Sequence, residues 1–495
     1  MASVYSHWLL RALLFTGLGM MAGVYFGDEL TTATISAKRA AVNSVVSATD
    51  LDTRAAVILE YPELLAAIRS KGTVAEGESH PAISQNIFSR DSAEAIKAVH
   101  EIASVEEVED GMWFVRLGPS NSIVFETTEG LVLVDSGVGP AGPALVDALK
   151  SISDQPLHTV IYTHAHVDHA YGTWALLAEG WDPQVIAHKN LPRRVQRYIR
   201  LGGSIAGYMS QPAQQLPQSE GEFVWPTKLF ADELVLEIGG ETLVLRHHLG
   251  ETDDQFYIWV PGRSALLAAD YYQDRIPNVG NGKRVTRYVE EWAVALREMA
   301  DLKPEILLPS HGPAIRGSET IRGDLIVLAE ALDYINDYTI DALNSGLRKD
   351  QVFEGAHLPP HLAGDPRLQQ GYVSIKDVSK MIIKRYTGWW DEIPSHWSPA
   401  PWETQAAAIV ELAGGVASID ALARRVLDSD IALASHLADW AFFAAPDDPL
   451  AQQLVMDVYS RRILRPDSYT QESVAYLDFM AQVKQRQLAA QDLTE

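Results

Sequence analysis

The spacing of apolar and polar residues divides the chain into two regions with different periodicity. In the first region, short apolar runs bounded by glycine or polar residues predict strands, and longer amphipathic stretches predict helices. Strands are predicted at 112–115, 122–125, 131–134, 159–162 and 184–187, with a helix over about 141–151. Alternation of strands and helices is typical of an α/β domain with a partly parallel sheet.

Beyond about residue 318 the strand signal stops and helical periodicity takes over. Apolar residues recur there at intervals of three and four, and prolines punctuate the segments. The predicted helices are 321–343, 378–385, 403–412, 431–445 and 450–461. The pattern therefore predicts an N-terminal segment over 1–30, an extended lead-in over 31–110, an α/β domain over 111–317 and an all-α region over 318–495.

The N-terminal segment contains an uncharged run over residues 12–27, which follows Arg11 and ends before Asp28. This run is short for a membrane span but suits the core of a signal peptide. Because no clean small-residue cleavage site follows, an uncleaved anchor in contact with the membrane is the second interpretation, and a buried helix is the third. Export predicts a periplasmic or secreted protein.

Composition and charge narrow the class of partner. The chain has 495 residues, of which 47% are hydrophobic, so it can form ordinary packed cores in more than one domain. The formal net charge of −25 argues against a nucleic-acid partner, because phosphate binding needs a basic surface. The absence of cysteine excludes disulfides and thiolate metal sites.

The candidate chemistry is concentrated directly after the predicted strand at 159–162. Within six residues the chain carries His164, His166, Asp168 and His169. Neutral imidazole and carboxylate oxygen are the usual ligands of Zn²⁺ and related metals. His164 and His166 are two residues apart and point the same way on extended backbone, whereas the adjacent Asp168 and His169 diverge and suit a second metal.

The His-x-His-x-Asp-His run resembles the signature of the metallo-β-lactamase fold, an αββα sandwich with a two-metal hydrolytic site. The resemblance implies three further ligands, and the chain offers Glu251 in a Gly-Glu-Thr turn, Asp270 after a strand, and His311 in a Pro-Ser-His-Gly turn. The implied ligands are His164, His166 and Glu251 for one metal and Asp168, His169 and His311 for the other, with Asp270 bridging. The implied cofactor is two Zn²⁺, although Mn²⁺ or Fe would suit the same donors. Asp135 resembles the buried acid that fixes the metal loop by hydrogen bonds.

Glutamate at position 251, where the superfamily usually has His, is similar to the alkylsulfatase branch. In that branch a second acid follows nineteen residues later, as Asp270 does here, although the branch usually has Glu at that place. The segments 386–394 and 411–415 resemble elements of the helical dimerisation domain of alkylsulfatases and imply a homodimer. The sterol-carrier-like C-terminal domain of longer alkylsulfatases is not expected, so the chain is interpreted as a divergent member.

The resemblance implies hydrolysis of sulfate esters of apolar alcohols by metal-activated water, with Asp168 or Asp270 holding the proton of the nucleophile. The substrate side matches the branch less closely. The candidate substrate-binding residues are Asn278, Lys283, Tyr372 and Lys376. Two alternatives stay open. One is a metal-dependent hydrolase of a carboxylic ester, lactone or phosphodiester, and the other is a non-enzymatic metal-binding scaffold.

Overall fold

The computed structural model describes residues 93–492, except for residue 119, residues 209–215, and residues 464 and 466. The predicted signal peptide or anchor and most of the predicted lead-in lie outside the described residues. The described chain forms two compact units, residues 93–387 and residues 388–492. Each unit is considered by itself.

Two β-sheets form the centre of the first unit. The first sheet contains, in both chain and spatial order, β1 (Ser104–Glu109), β2 (Met112–Arg116), β3 (Asn121–Thr127), β4 (Gly130–Val134), β5 (Leu157–Ile161), β6 (Gln184–His188) and β7 (Lys228–Phe230). The second sheet contains β8 (Glu233–Ile238), β9 (Glu241–His247), β10 (Phe256–Val260), β11 (Ala265–Ala269), β12 (Ile306–Pro309) and β13 (Ile315–Arg316), in the spatial order β13-β12-β11-β10-β9-β8. The β4, β5, β6 and β7 strands run parallel, as do β11 and β12, so several strand ends meet at one edge of each sheet.

The helices of the first unit cover the outer faces of these sheets. They are α1 (Ala93–Ile102), α2 (Gly142–Ile152), α3 (Thr173–Ala178), α4 (Leu191–Arg200), α5 (Gly202–Tyr208), α6 (Val289–Asp301), α7 (Ser318–Asn344), α8 (Lys349–Glu354) and α9 (Ile375–Tyr386). The β4 strand shows how the layers form, because all five of its residues are buried. Leu131 and Leu133 pack with the helix side, whereas Val132 and Val134 face the other sheet. Alternating side chains of one strand thus join two hydrophobic cores.

The second sheet repeats this arrangement on the opposite side. In β11, Ala265 and Leu267 contribute to the core between the sheets, and Leu266 and Ala268 contribute to the core under α6, α7 and α9. The result is an αββα sandwich followed by helices. The fold class predicted from the sequence is therefore confirmed.

The second unit is helical throughout its described length. Its helices are α10 (Trp402–Ala413), α11 (Val416–Val426), α12 (Ile431–Ala444), α13 (Pro449–Ile463) and α14 (Thr470–Asp492). No single helix in the described residues has the length and apolar character of a membrane span, although α10 and α11, bent by 86°, pass that test when taken together. The aromatic rings of Phe442, Phe443 and Phe479 pack against one another in this unit.

Two boundaries differ from the sequence interpretation. Residues 104–109, assigned to the lead-in, form β1, which pairs antiparallel with β2 at the edge of the first sheet. Only one residue of this strand is buried, so its charged sequence carried no strand signal. The first compact unit also continues past residue 317 to Thr387, because α7 and α9 bury apolar faces in the core beside α6.

Candidate metal centre

The histidine-rich loop is held at the end of β5 by the neighbouring parallel strand β4. Asp135, which follows β4, is fully buried and accepts hydrogen bonds from the backbone N–H of Thr163 at 2.8 Å and from the Thr163 hydroxyl at 2.7 Å. Its Oδ2 atom also lies 2.8 Å from His169 Nδ1. The Ser136 N–H donates to the His169 carbonyl at 2.6 Å. The carboxylate of Asp135 therefore fixes both ends of the loop.

The remaining donors reach the loop from three strand ends of the second sheet. Glu251 lies in the turn after β9, Asp270 follows β11, and His311 follows β12. Gly250 is required in the first of these turns, since a Cβ atom there would lie 2.6 Å from the Tyr271 ring. Ala269, directly before Asp270, has a φ of +48°, a left-handed conformation that L residues seldom adopt. Local strain thus accompanies the placement of Asp270.

These elements bring the seven predicted ligands together in two groups. The first group contains His164, His166, Glu251 and Asp270, and the second contains Asp168, His169 and His311. Within the first group, His164 Nε2 and His166 Nδ1 are 2.9 Å apart and His166 Nδ1 lies 3.6 Å from Glu251 Oε1. In the second group, His311 Nε2 is 3.6 Å from Asp168 Oδ2.

The Asp270 carboxylate faces both groups. Its Oδ2 atom lies 3.8 Å from His164 Nε2, and its Oδ1 atom lies 3.4 Å from His169 Nε2 and 3.3 Å from His311 Nε2. This is the position that a bridging ligand requires. The family resemblance implied a bridging role for this residue, and that role stays a prediction.

The distances between most of the donors fit a shared metal ion. Donors about 2.0–2.1 Å from a tetrahedral ion lie ~3.3 Å from one another, which is within the range of these contacts. In addition, His169 Nε2 and Glu251 Oε2 are buried and make no hydrogen bond with any described residue. Because such atoms are costly to bury alone, the cluster fits a divalent metal.

The protonation preferences of the imidazoles differ between the two groups. Burial, and next the charge of His169, lower the pKa of His164 well below its ordinary value, and burial followed by His164 does the same to the pKa of His166. In the second group burial acts against protonation of His311, but the charge and hydrogen bond of Asp270 and the charge of Asp168 together outweigh it and raise the pKa of His311 to about 9. Metal binding by the second group must therefore release a proton, whereas the two imidazoles of the first group already offer lone pairs.

A buried arginine that the sequence analysis did not identify contacts the first group. Arg287 is only 2% exposed, and its guanidinium forms an ion pair with Glu251 Oε1 and donates to the Asn278 carbonyl. Burial raises the pKa of Glu251 to about 8, and Arg287 acts in the opposite direction. The basic run that begins at Lys283 was the only sequence signal, and nothing in its spacing singled out Arg287.

The four predicted substrate-binding residues are placed differently. Asn278 is buried beside Arg287, and Tyr372 lies near enough to Glu251 and Arg287 for their charges to act on its pKa, which burial raises. The backbone N–H of Lys283 donates a hydrogen bond to the side-chain oxygen of Asn281. Lys376 does not join the metal centre, because its ammonium pairs with Glu354 at the surface. The proposal of Lys376 as a substrate-binding residue is therefore corrected.

Comparison with known proteins agrees with this geometry. Residues 115–311 match the metallo-beta-lactamase superfamily, and residues 348–485 match the alkyl sulfatase dimerisation family. A linear primary-alkylsulfatase of Pseudomonas sp. (strain ATCC 19151) is 28% identical over 360 residues, which cover 67% of this chain and 68% of that protein. The alkyl/aryl-sulfatase BDS1 of Saccharomyces cerevisiae is 23% identical over 400 residues, or 73% of this chain and 60% of that protein.

A solved structure shows the same fold. The stereoselective inverting sec-alkylsulfatase Pisa1 from Pseudomonas sp. is 20% identical, with a TM-score of 0.68 over 88% of this chain and 77% of that chain. The sandwich and its His/Asp cluster define a metalloprotein of the metallo-β-lactamase fold. Together with its second matched segment, they show that the chain combines a metallo-beta-lactamase superfamily domain with an alkyl sulfatase dimerisation domain.

Proposed function

We propose that this protein is a two-zinc hydrolase that cleaves sulfate esters of apolar alcohols. The observation that carries the proposal is the complete set of seven donors with an acidic ligand, Glu251, in a chain that also matches the alkyl sulfatase dimerisation family. The named activities of its relatives, primary-alkylsulfatase and alkyl/aryl-sulfatase, support the same ester class.

The donor set assigns the metals and the chemistry they would supply. His164, His166 and Glu251 would hold one ion, Asp168, His169 and His311 the other, and Asp270 would bridge them. When bound, such ions supply Lewis acidity and make a water molecule more acidic. Imidazole and carboxylate donors at these spacings suit Zn²⁺.

Of the two candidate catalytic acids, Asp168 is better placed to accept a proton. Its side chain is 16% exposed, whereas that of Asp270 is 4% exposed. Although burial acts to raise it, the charges of His311 and His169 hold the pKa of Asp270 well below its ordinary value. Asp270 therefore remains anionic and orients the imidazoles, and Asp168 receives the proton.

Cationic side chains next to the cluster offset the charge that a sulfate brings. Arg287 contacts Glu251, and the charges of Arg287 and Arg194 both act to lower the pKa of His166. The charges of Arg284 and Glu251 act on the pKa of Tyr372 in opposite directions, while burial raises it. Guanidinium groups bind tetrahedral oxyanions through charge-assisted hydrogen bonds.

The test is sulfate release from primary and secondary octyl sulfates by the zinc-loaded protein, measured by ion chromatography. We expect turnover that a chelator abolishes and that added zinc restores. The Asp168→Asn variant, with its metal content measured, should lose at least ~100-fold in kcat. Two fungal thioesterases are 26% and 24% identical over 41% and 42% of this chain, so an acyl thioester is the informative second substrate. Turnover of the thioester without any sulfate release would reject the proposal.

We further propose that the protein is a homodimer and that it is exported to the periplasm or secreted. The match of residues 348–485 to the alkyl sulfatase dimerisation family supports the first proposal, and the apolar run over 12–27 supports the second. Light scattering of the purified protein gives the oligomeric mass, and a monomer would reject the dimer. Cell fractionation with N-terminal sequencing tests export, which recovery in the cytoplasm alone would contradict.

A further inference from the structure

A second charged feature lies beside α4, outside the set of metal ligands. It is an open cleft of about 670 Å³, a size typical of small-molecule sites. The residues that line this arginine cleft are Arg193, Arg194, Gln196, Arg197, Arg200, Leu201, Asp253, Val285, Thr286 and Tyr288. Four arginines from one ten-residue helix thus face the same space, in a protein whose formal net charge is −25.

Three of these arginines have no acidic partner within the part of the chain that the structure describes. Arg193, Arg197 and Arg200 are spaced four and three residues apart, so they project from one face of α4. Arg194, by contrast, pairs with Asp253 and Asp254. The face of α4 that lines the cleft therefore carries like charges that the described residues leave unneutralised.

The half-buried Arg197 shows the effect of this arrangement. Burial, and then the charges of Arg194 and Arg284, lower the pKa of Arg197. Burial also lowers the pKa of Lys384, and Arg197 adds to that effect. Cations placed close together repel one another, and an anion bound between them would remove that repulsion.

The cleft also offers apolar surface next to its cations. Leu201 and Val285 are 42% and 37% exposed, which is high for large aliphatic side chains, and Tyr288 adds an aromatic wall. A small inorganic anion would leave this surface in contact with water. An organic anion with an apolar body would cover it while its head group meets the arginines.

The cleft is a neighbour of the metal centre but does not contain its donors. Asp253 lines the cleft two residues after Glu251, and the N–H of Tyr288 donates to the Gly250 carbonyl at 3.1 Å. The two sites thus share the turn after β9 as a common wall. A ligand held in the cleft would lie close to the reacting centre without occupying it.

We propose that the arginine cleft is a separate binding site for an amphiphilic organic anion, with an aliphatic chain and a sulfate, sulfonate or carboxylate head group. Such a site would concentrate anionic amphiphiles near the metal centre against the repulsion of a strongly acidic protein. The inference goes beyond the proposed hydrolysis, because it does not depend on which ester the metal centre cleaves.

The test is calorimetric titration of the metal-loaded full-length protein with decanesulfonate, whose carbon–sulfur bond makes it no ester substrate. Arg197→Gln and Arg322→Gln remove the same charge, the first from the cleft and the second from an exposed position on α7. We expect Arg197→Gln to weaken binding about tenfold and Arg322→Gln to change it less than about twofold. Decanol and inorganic sulfate should each bind at least about tenfold more weakly than decanesulfonate.

A repeat after chelation separates the cleft from the metals, since the component lost in Arg197→Gln should persist in the metal-depleted protein. Equal binding by wild type and Arg197→Gln, an equal loss in Arg322→Gln, or decanol binding as tightly as decanesulfonate would each overturn the proposal. Loss of all decanesulfonate binding on chelation would also overturn it. Because no turnover is measured, a protein that releases no sulfate would still show this binding, so the two proposals fail independently.

Discussion

Replacing Asp135 by Asn tests how the fold prepares the second metal group. The substitution keeps the size of the side chain, and Asn tolerates the left-handed backbone of this position, where φ is +59°. It removes the negative charge and converts one carboxylate oxygen into an N–H donor. If the amide oxygen stays on the Thr163 N–H, that donor faces His169 Nδ1, which now lies 2.8 Å from a carboxylate oxygen.

The magnitude follows from the tautomer of His169. In the native site Asp135 accepts a hydrogen bond from the Nδ1 proton of His169, which leaves the Nε2 lone pair for a metal. In Asp135→Asn the amide N–H faces Nδ1, so His169 must carry its proton on Nε2. Loss of such a supporting carboxylate typically weakens metal affinity 10–100-fold, which corresponds to ~1.4–2.7 kcal/mol. We expect this loss for one metal equivalent, because the donors of the first group do not contact Asp135.

The assay is competition of the zinc-loaded protein with a chromogenic chelator, with circular dichroism to verify folding. Thr163→Val is the matched control. It removes a hydroxyl that donates to Asp135 Oδ2 and lies 3.2 Å from His164 Nδ1, but it leaves the carboxylate beside His169 in place. We expect this variant to lose less affinity than Asp135→Asn. Two equivalents bound with native affinity by Asp135→Asn, or an equal loss of both, would refute the reasoning.

Three further predictions follow from buried groups. Arg287→Gln leaves the Glu251 carboxylate buried without its cation, so the metal-free protein should lose about 3 kcal/mol of unfolding free energy, and zinc should restore part of it; an unchanged denaturation midpoint would contradict this. Burial and the neighbouring imidazole of His247 lower the pKa of His188 to about 4. The unfolded state then binds more protons than the native state between that value and ~6.5, so stability falls as pH falls through this window. His188→Asn should reduce the slope of unfolding free energy against pH by up to ~1.4 kcal/mol per pH unit, as measured by denaturation at each pH. An identical slope in the variant would exclude His188 as the cause. Gly250→Ala should lower the unfolding free energy by ~1–3 kcal/mol, because its Cβ would meet the ring of Tyr271; native stability would show that the ring can move.

The ligand loop illustrates why part of the site was readable from the chain. Four of its donors are contiguous, and their spacing is set by local backbone geometry that does not depend on distant contacts. The donors Glu251, Asp270 and His311 were found because each ends a strand or occupies a short turn, and the family pattern supplied their order. The register of the second sheet then brings those strand ends to the loop.

Arg287 illustrates the opposite case. It is 36 residues from Glu251 in the sequence, as the difference 287 − 251 shows, and the side chains meet only because the segment after Asn278 folds back under the turn after β9. The position of Lys376 was unpredictable for the same reason, since its pairing with Glu354 depends on how α8 and α9 pack. Long flexible cationic side chains carry no periodic signal that reveals their partners.

The sequence by itself determined the fold class and the change from α/β to helical architecture, because these depend on hydrophobic period. Its short motifs, read with the family resemblance, predicted the seven candidate donors that the structure brings together. Only the tertiary structure decided that Asp270 faces both donor groups, that a buried guanidinium balances Glu251, and that the arginines of α4 line a cleft beside the same turn. Those relations join residues far apart in the chain, and the free energy that settles them comes from burial and charge in three dimensions rather than from local spacing.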